Sequence, residues 1–475
     1  MSNEINNILT KSEFLLYCEA PRHLWAKRNG RIEQCLSDFD KHLIKEGYIT
    51  EGLAKDYLVT VLMPNNPRSE LIWQMTFVED AFEARIDALL YKPETDTYDL
   101  YEIKSATNLD KEHLYDFAFQ TLILEGQVSV DHFFLLHLNK EYIRRGELDL
   151  AQLFIAEDVT DAIIAMQPEI EKLCQEALQA AKVSDPGTLD HCFNPKNCPC
   201  PDICHPELPE FSIYEVPNLR QKKKAALLEM EIRQAQDIPA TFELNEKQRL
   251  VVERARTNTE YVDKNRLRFI TQGFHFPLWF LDYETCISAI PRFDGYHPQQ
   301  QVVFQYSLHC LEDPDGELRH MGCISLSDGD PSMSLLEHLR SDLGASGTVI
   351  VWNKAFEMTM NKEMANLHPE YADFLNALNN RICDLGEIIN KGIYLHPGCK
   401  GSWSIKNVLP VMVPELTYEG MAINKGDQAS MAWWNITFGG INEEEKESFI
   451  EGLEKYCELD TLAMVEIYRK LQSLV

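Results

Sequence analysis

The chain contains no run of eighteen apolar residues, so no segment of it reads as a membrane-spanning helix. Its start, Met1–Phe14, lacks the basic and apolar blocks of a signal peptide, which points to the cytoplasm and away from a membrane. Basic residues are in short supply: Lys and Arg number 45 against 75 Asp and Glu, a formal net charge of −30. That excludes a protein that coats DNA by bulk charge. It leaves room for an enzyme that grips nucleic acid in one local groove, since bound Mg²⁺ inverts the field of a carboxylate cluster. Internal repeats and low-complexity tracts are also missing.

What is present reads as globular. The fractions of 45% hydrophobic and 25% charged residues are ordinary, and 475 residues at roughly 150 per domain give two or three domains. Three blocks follow from composition. Residues 1–209 end in a Cys-rich loop and the stretch Pro206–Pro209. Residues 210–270 have few aromatics, many charges and helix-like spacing over Leu244–Arg256, and read as a helical connector. The basic run Arg220–Lys224 within them reads as a solvated helix face. Residues 271–475 open on the apolar run Phe276–Leu281.

Thirteen cysteines in a reducing compartment are buried apolar residues or metal ligands, not a disulfide framework. Cys35, Cys174, Cys286, Cys310 and Cys457 stand singly and are expected to be buried. Cys192, Cys198, Cys200 and Cys204 fall within thirteen residues, and Pro195, Pro199 and Pro201 bar a regular helix or strand there. Such a loop predicts a metal or cluster site, and Zn²⁺ suits four thiolates.

In the first block, Phe82–Tyr91 alternates as a strand, Lys92–Thr97 reads as a turn, and Tyr98–Ser105 alternates again, giving a hairpin. Residues two apart on a strand share a face, so Glu102 and Lys104 project together and Asp87 can reach them from the partner strand. Two carboxylates and a lysine suit metal-assisted phosphodiester hydrolysis: the acids hold Mg²⁺ or Mn²⁺, and the lysine orients water and offsets developing charge. The same residues on a hairpin surface also make an ordinary ion pair.

Asp87, Glu102-Ile-Lys104 and Gln120, on the expected helix Leu114–Leu124, resemble the PD-(D/E)xK nuclease core of the RecB type. The segment Cys18–Trp25 resembles the first-cysteine motif of the iron–sulfur branch of that family, and the likeness covers most of residues 12–205. The resemblance implies a structural [4Fe–4S] cluster held by Cys18, Cys192, Cys198 and Cys204, with Cys200 spare and Zn²⁺ as the rival occupant. It also places Glu51 near the position of a helical metal ligand.

The third block carries a second constellation. Asp282 and Glu284 follow the apolar strand Leu278–Leu281, Glu357 follows the strand Thr348–Trp352, and Tyr456 and Asp460 stand four apart on the expected helix Glu454–Ala463. Acids at strand ends and on a helix are what a two-metal site requires, and the tyrosine would orient the attacking water. Asp384 reads as the cap of the helix that follows it. The order of these motifs over residues 276–472 resembles the DnaQ-like exonucleases of the RNase H fold, in the subclass with tyrosine in the last motif. Glu357 stands where those enzymes carry aspartate.

Both halves in one chain resemble a bacterial family that joins a RecB-type iron–sulfur nuclease to a DnaQ-like domain. Leu138–Arg144, Pro291–Phe293 and Ser404–Pro410 share in that likeness. The expectation is an α/β protein: a PD-(D/E)xK nuclease domain plus an RNase H-like exonuclease domain, joined by a helical connector. It would hydrolyse DNA with Mg²⁺ or Mn²⁺. An RNA-processing nuclease and a nucleic-acid-binding scaffold with vestigial sites are the alternatives.

Overall fold

Alternation of apolar and polar residues sets the sheets, and the punctuation between them sets the order. The computed structural model describes residues 8–32 and 36–475. The leader reading of residues 1–7 and the burial expected of Cys35 lie outside the described residues. The chain is mixed α/β and divides into two compact units. Unit 1 runs through Glu207 and includes Ser288–Gln300; unit 2 comprises Leu208–Ile287 and Gln301–Val475. The segment expected as a connector, 210–270, is thus part of unit 2. Ser288–Gln300, expected with the third block, counts with unit 1.

In unit 1 the elements are β1 (Leu9–Thr10), α1 (Lys11–Glu19), α2 (Pro21–Arg28), α3 (Asp38–Tyr57), β2 (Glu70–Glu79), β3 (Phe82–Lys92) and β4 (Thr97–Lys104). They continue with α4 (Lys111–Leu124), β5 (Val130–Leu138), α5 (Leu150–Leu153), β6 (Phe154–Asp158), α6 (Thr160–Ala180) and the short α7 (Pro201–Cys204). The expected hairpin is β3–β4 and the expected helix is α4. The sheet runs β1-β3-β4-β5-β6, with β2 also paired to β3. β4 is parallel to β5 and antiparallel to β3. One apolar cluster, including Phe14, Phe117, Phe119 and Leu135, lies against α1, α4 and α6. A second, including Leu90, Tyr101, Leu136 and Phe154, takes in Ala289 and Ile290. Two segments singled out above meet here: Arg144 donates to the carbonyls of Pro291 at 3.0 Å and Arg292 at 2.8 Å.

Unit 2 contains α8 (Gln221–Glu229), α9 (Glu246–Thr257), β7 (Tyr261–Val262), α10 (Lys264–Gln272), β8 (Leu278–Ile287), β9 (Gln301–Leu311), β10 (Leu318–Ile324), α11 (Ser332–Asp342), β11 (Thr348–Val351) and α12 (Lys354–Leu367). It ends with α13 (Ala372–Asn379), β12 (Ile382–Asp384), α14 (Gly386–Asn390), β13 (Tyr394–Leu395), α15 (Ile405–Met412), α16 (Gly426–Phe438) and α17 (Glu443–Gln472). Its main sheet runs β10-β9-β8-β11-β12, antiparallel through β8 and parallel from β8 to β12. β8 outruns the expected apolar strand, so Asp282 and Glu284 sit inside the strand and not beyond its end. The residues before β8 bury their own small core, Ile213, Val216, Leu227, Ile238 and Val252 among them. Among the described residues no helix is long and apolar enough to cross a membrane.

Candidate functional site

Three groups of chemistry-bearing side chains form, two in unit 1 and one in unit 2. The first lies where β3, β4, α1 and α4 meet. β4 brings Glu102 and Lys104 to one face, as two-residue spacing requires. The β3–β4 ladder runs from Lys92↔Thr97 to Ala88↔Tyr101. Beyond it the Asp87 carboxylate accepts from the Ile103 backbone N–H at 2.9 Å, and so stands beside Glu102. α4 adds Asp116 and Gln120, four residues apart and therefore on one face, with Gln120 donating to Asp116 at 3.0 Å. α1, capped by Thr10, begins with Lys11, whose ammonium reaches Glu102 at 3.1 Å and Asp116 at 3.4 Å. Lys104 donates to Glu102 at 2.9 Å and also to Asp116.

The electrostatics split the acids. Burial and the neighbouring Glu102 push the Asp87 carboxyl up to about 7. Burial acts upward on Glu102 as well, but Lys104 and Lys11 outweigh it and hold that carboxyl at about 2. Both lysines take the Oε1 atom. Oε2 of Glu102 and Oε1 of Gln120 are buried without a hydrogen-bond partner. An unpaired buried acceptor costs about 1–3 kcal/mol, and a cation between two such oxygens removes that cost. The residues present therefore fit a divalent metal. Glu51 is elsewhere engaged, its carboxylate accepting from Gln74 at 2.5 Å.

The second group is the cysteine loop with α2. Pro21 ends α1 and forces Ala20 into an extended conformation, so α2 leaves in a new direction. That turn buries His23 against the loop. Ligand atoms of His23, Cys192, Cys198 and Cys204 all lie within 4.8 Å of one another, which makes this a candidate metal site. Arg22 fixes the loop in place by donating to the carbonyls of Leu189 at 2.8 Å, Ile203 at 2.9 Å and Gly187 at 3.1 Å. The expected ligand Cys18 is not in the group and His23 is. Cys18 precedes the Ala20 turn and faces Lys111 and Glu169. Cys200 is buried with its sulfur 3.8 Å from that of Cys204, outside the four-membered set.

The third group occupies unit 2. Asp282 and Glu284 project from one face of β8, and Cys457 on α17 brings its sulfur within 4.8 Å of both. Cys174, Cys286, Cys310 and Cys457 are all buried as expected, but Cys457 is buried at this site. Asp460 lies close enough to raise both acids of β8. Glu357, in the first turn of α12, is buried and its Oε2 has no partner. Burial, then Asp460, Glu284 and Glu357, push the Asp282 carboxyl up, against the pull of Lys406. Burial and Asp384 push Glu357 up to about 8. Asp460 rises through burial only to about 6, because Tyr418, Lys406 and Tyr456 favour its charged form. Tyr418 donates to Asp460 at 2.5 Å, and Lys406 donates to the Tyr456 hydroxyl oxygen at 2.8 Å and to the Asn424 carbonyl at 2.9 Å. An ammonium has no acceptor lone pair, so the Tyr456 proton turns to Asp460. Asp282, Glu284 and Asp460 facing one ammonium, with Glu357 beside Asp282 and one of its oxygens unpartnered, fit a divalent cation.

Lys11, Asp116, Lys406, Tyr418 and His23 were not assigned a role from sequence. Lys406 lies in the segment Ser404–Pro410 and His23 in Cys18–Trp25, both singled out as family-like. Asp116 has a local signal, its four-residue spacing from Gln120.

A family model described as a domain of unknown function (DUF2779) matches residues 279–404. That span holds Asp282, Glu284 and Glu357 and stops before Lys406, Tyr456 and Asp460. The uncharacterized protein UU173 of Ureaplasma parvum is 26% identical over 217 residues, 41% of this chain and 31% of that one. The uncharacterized protein MG366 of Mycoplasma genitalium is 27% identical over 216 residues, 41% of this chain and 32% of that one. The matched region thus spans about a third of each relative's length. No solved structure matches the chain.

Proposed function

We propose that the protein is a divalent-metal-dependent nuclease that hydrolyses DNA phosphodiester bonds, with one site on Asp87, Glu102, Lys104 and Gln120 and another on Asp282, Glu284, Glu357, Tyr456 and Asp460. The observation that carries the reading is the convergence of Asp87, Glu102, Lys104 and Gln120 from β3, β4 and α4, with two buried oxygens left open. A β-hairpin followed by a helix and a parallel strand is in keeping with a PD-(D/E)xK core. A mixed five-stranded sheet with its acids on the middle strand suits an RNase H-like domain.

Mg²⁺ or Mn²⁺, when bound, polarises the phosphate and lowers the pKa of a water molecule. In unit 1, Asp87, Glu102 Oε2 and Gln120 Oε1 would hold it. Lys104, positioned by Asp116, orients the attacking water and offsets charge on the phosphate oxygens. Lys11 balances the remaining charge on Glu102. In unit 2, the acids of β8, α12 and α17 would hold the metal, and Lys406 and Asp460 fix the Tyr456 hydroxyl that orients water. The cysteine–histidine group takes no part in hydrolysis in this reading; it ties α2 to the loop.

The test incubates the full chain with single- and double-stranded DNA and with RNA, in Mg²⁺, Mn²⁺ or EDTA. Metal-dependent cleavage of DNA that disappears in the double variant Lys104→Ala/Asp282→Ala is expected. Preference for RNA moves the substrate to the processing alternative. Binding without cleavage under every condition overturns the enzyme reading in favour of a scaffold.

A further inference from the structure

We propose that the group His23, Cys192, Cys198 and Cys204 is a mononuclear tetrahedral Zn²⁺ site, with Glu19 as the carboxylate that orients His23, and that it does not hold an iron–sulfur cluster. This stands apart from whether either acidic site cleaves nucleic acid.

Size decides between the two occupants. Zn–S bonds near 2.3 Å and Zn–N bonds near 2.0–2.1 Å place tetrahedral ligand atoms about 3.5–3.8 Å from one another. The Cys198 sulfur and His23 Nε2 are 3.5 Å apart, and no pair in the set exceeds 4.8 Å. A four-iron cluster puts its iron atoms between the ligands, so the ligating sulfurs stand roughly 6 Å apart. To admit it, every ligand atom would have to move outward through a loop pinned by the three Arg22 bonds.

The donor set agrees. Three thiolates and one imidazole are a common structural zinc set. His23 Nδ1 lies 3.0 Å from a Glu19 carboxylate oxygen, one helical turn back across the Ala20 break. A proton on Nδ1 shared with that carboxylate fixes the tautomer and leaves the Nε2 lone pair aimed at the sulfurs; metal-bound histidines are held by such outer partners. His23 is 2% exposed, so its ring has no solvent alternative. Cys18 lies on the other side of the Ala20 turn and is not needed to complete four ligands.

The experiment uses the full chain purified from medium that supplies both iron and zinc. Metal content, acid-labile sulfide and visible absorption are measured. One zinc per chain, no labile sulfide and no colour are expected. His23→Ala, Cys192→Ser, Cys198→Ser and Cys204→Ser should lose the zinc, while Cys18→Ser and Cys200→Ser keep it. Glu19→Gln should keep it with affinity weakened about 10–100-fold. Since His23→Ala can also lose metal by misfolding, His23→Cys supplies a second readout: it should retain one metal. Co²⁺ exchanged into it should show stronger thiolate charge-transfer absorption than Co²⁺ in the unchanged chain. Brown protein with iron and labile sulfide overturns the proposal. So does zinc that survives His23→Ala or departs with Cys18→Ser, unchanged Co²⁺ absorption in His23→Cys, or a chain that neither contains nor takes up zinc.

Discussion

In the proposed DnaQ-like reading of unit 2, Glu357 stands in place of an aspartate and is one methylene longer. Its carboxylate is nevertheless buried, enters from the first turn of α12 and keeps one oxygen open. The longer side chain reaches the site from a helix, so shortening it should draw the oxygen away. Glu357→Asp is expected to lower end-dependent trimming by at least about tenfold, since a two-metal site tolerates little displacement. Higher activity in that variant would mean that the site had drifted from aspartate and not been rebuilt. His309 gives a different single-residue prediction. Burial, assisted by His320, pulls its imidazole down to about 3, and Thr461 shares a hydrogen bond with Nδ1 at 2.8 Å. The folded pKa lies below the unfolded value near 6.5, so between the two only the unfolded chain takes up the proton. The stability present above about 6.5 is lost as pH falls toward 3, amounting to about 2 kcal/mol between pH 7 and pH 5. The raised carboxyls of the acidic sites slope the other way. The measurement is therefore the difference between wild type and His309→Gln in urea unfolding at both pH values. An identical pH dependence in the two proteins would rule out the His309 contribution.

At the scale of elements, Asp384 ends β12 and serves two helices at once. Its carboxylate accepts from the Lys354 N–H at the start of α12, at 2.9 Å, and from the Glu387 N–H in α14, at 3.0 Å. The expected cap of the following helix is there, and a second cap comes with it. Asp384→Ala should cost about 1–2 kcal/mol, read as a lower melting temperature, and Asp384→Asn, which keeps one acceptor oxygen and so one of the two caps, should restore about half of it. No difference between the two variants would mean that the caps contribute little. The sheets were legible because alternation and two-residue spacing are local: β3, β4 and β11 stand close to their expected ranges, and the paired acids share the faces assigned to them. Residues drawn in from distant segments were not legible. Lys11 and Lys406 are single lysines with no local pattern, and only the fold brings them to Glu102 and Tyr456. His23 had a signal, a glutamate four residues before it. The proline that follows Ala20 breaks the helix between them, and the family-like Cys18 drew the ligand assignment one turn too early. The apolar cluster in 210–270 was hidden because its members are spaced too irregularly for any one periodicity.

Across the whole molecule, the two acidic groups belong to different units, and neither set contains the ligands needed to complete the other. The two proposed activities should therefore separate. Lys104→Ala is expected to abolish cleavage at the first site, by on the order of 10²-fold or more, while leaving Mn²⁺ binding intact, since lysine is not a ligand. Asp282→Ala should remove the second activity, and excess Mg²⁺ should not rescue it. End-labelled and circular single-stranded DNA, digested by each variant and by the double variant, distinguish trimming from internal cutting. Loss of all trimming in Lys104→Ala alone would leave unit 2 without an independent nuclease.

Unit 1 is also discontinuous in sequence. Glu46 is buried, and its carboxylate accepts from the Ser288 hydroxyl at 2.6 Å and the Ala289 N–H at 3.0 Å. Gln299 donates to the Ser105 carbonyl at 2.7 Å, just past the end of β4. A chain emerging from the ribosome finishes the β3–β4 hairpin long before it supplies these partners. The native partners of Glu46 and Ser105 therefore arrive only once residue 300 has been made and β8 has already appeared. A gene fragment cut at residue 209 lacks these hydrogen bonds and the Ala289 and Ile290 contacts, and an isolated first half is for this reason a poor substitute for the full chain.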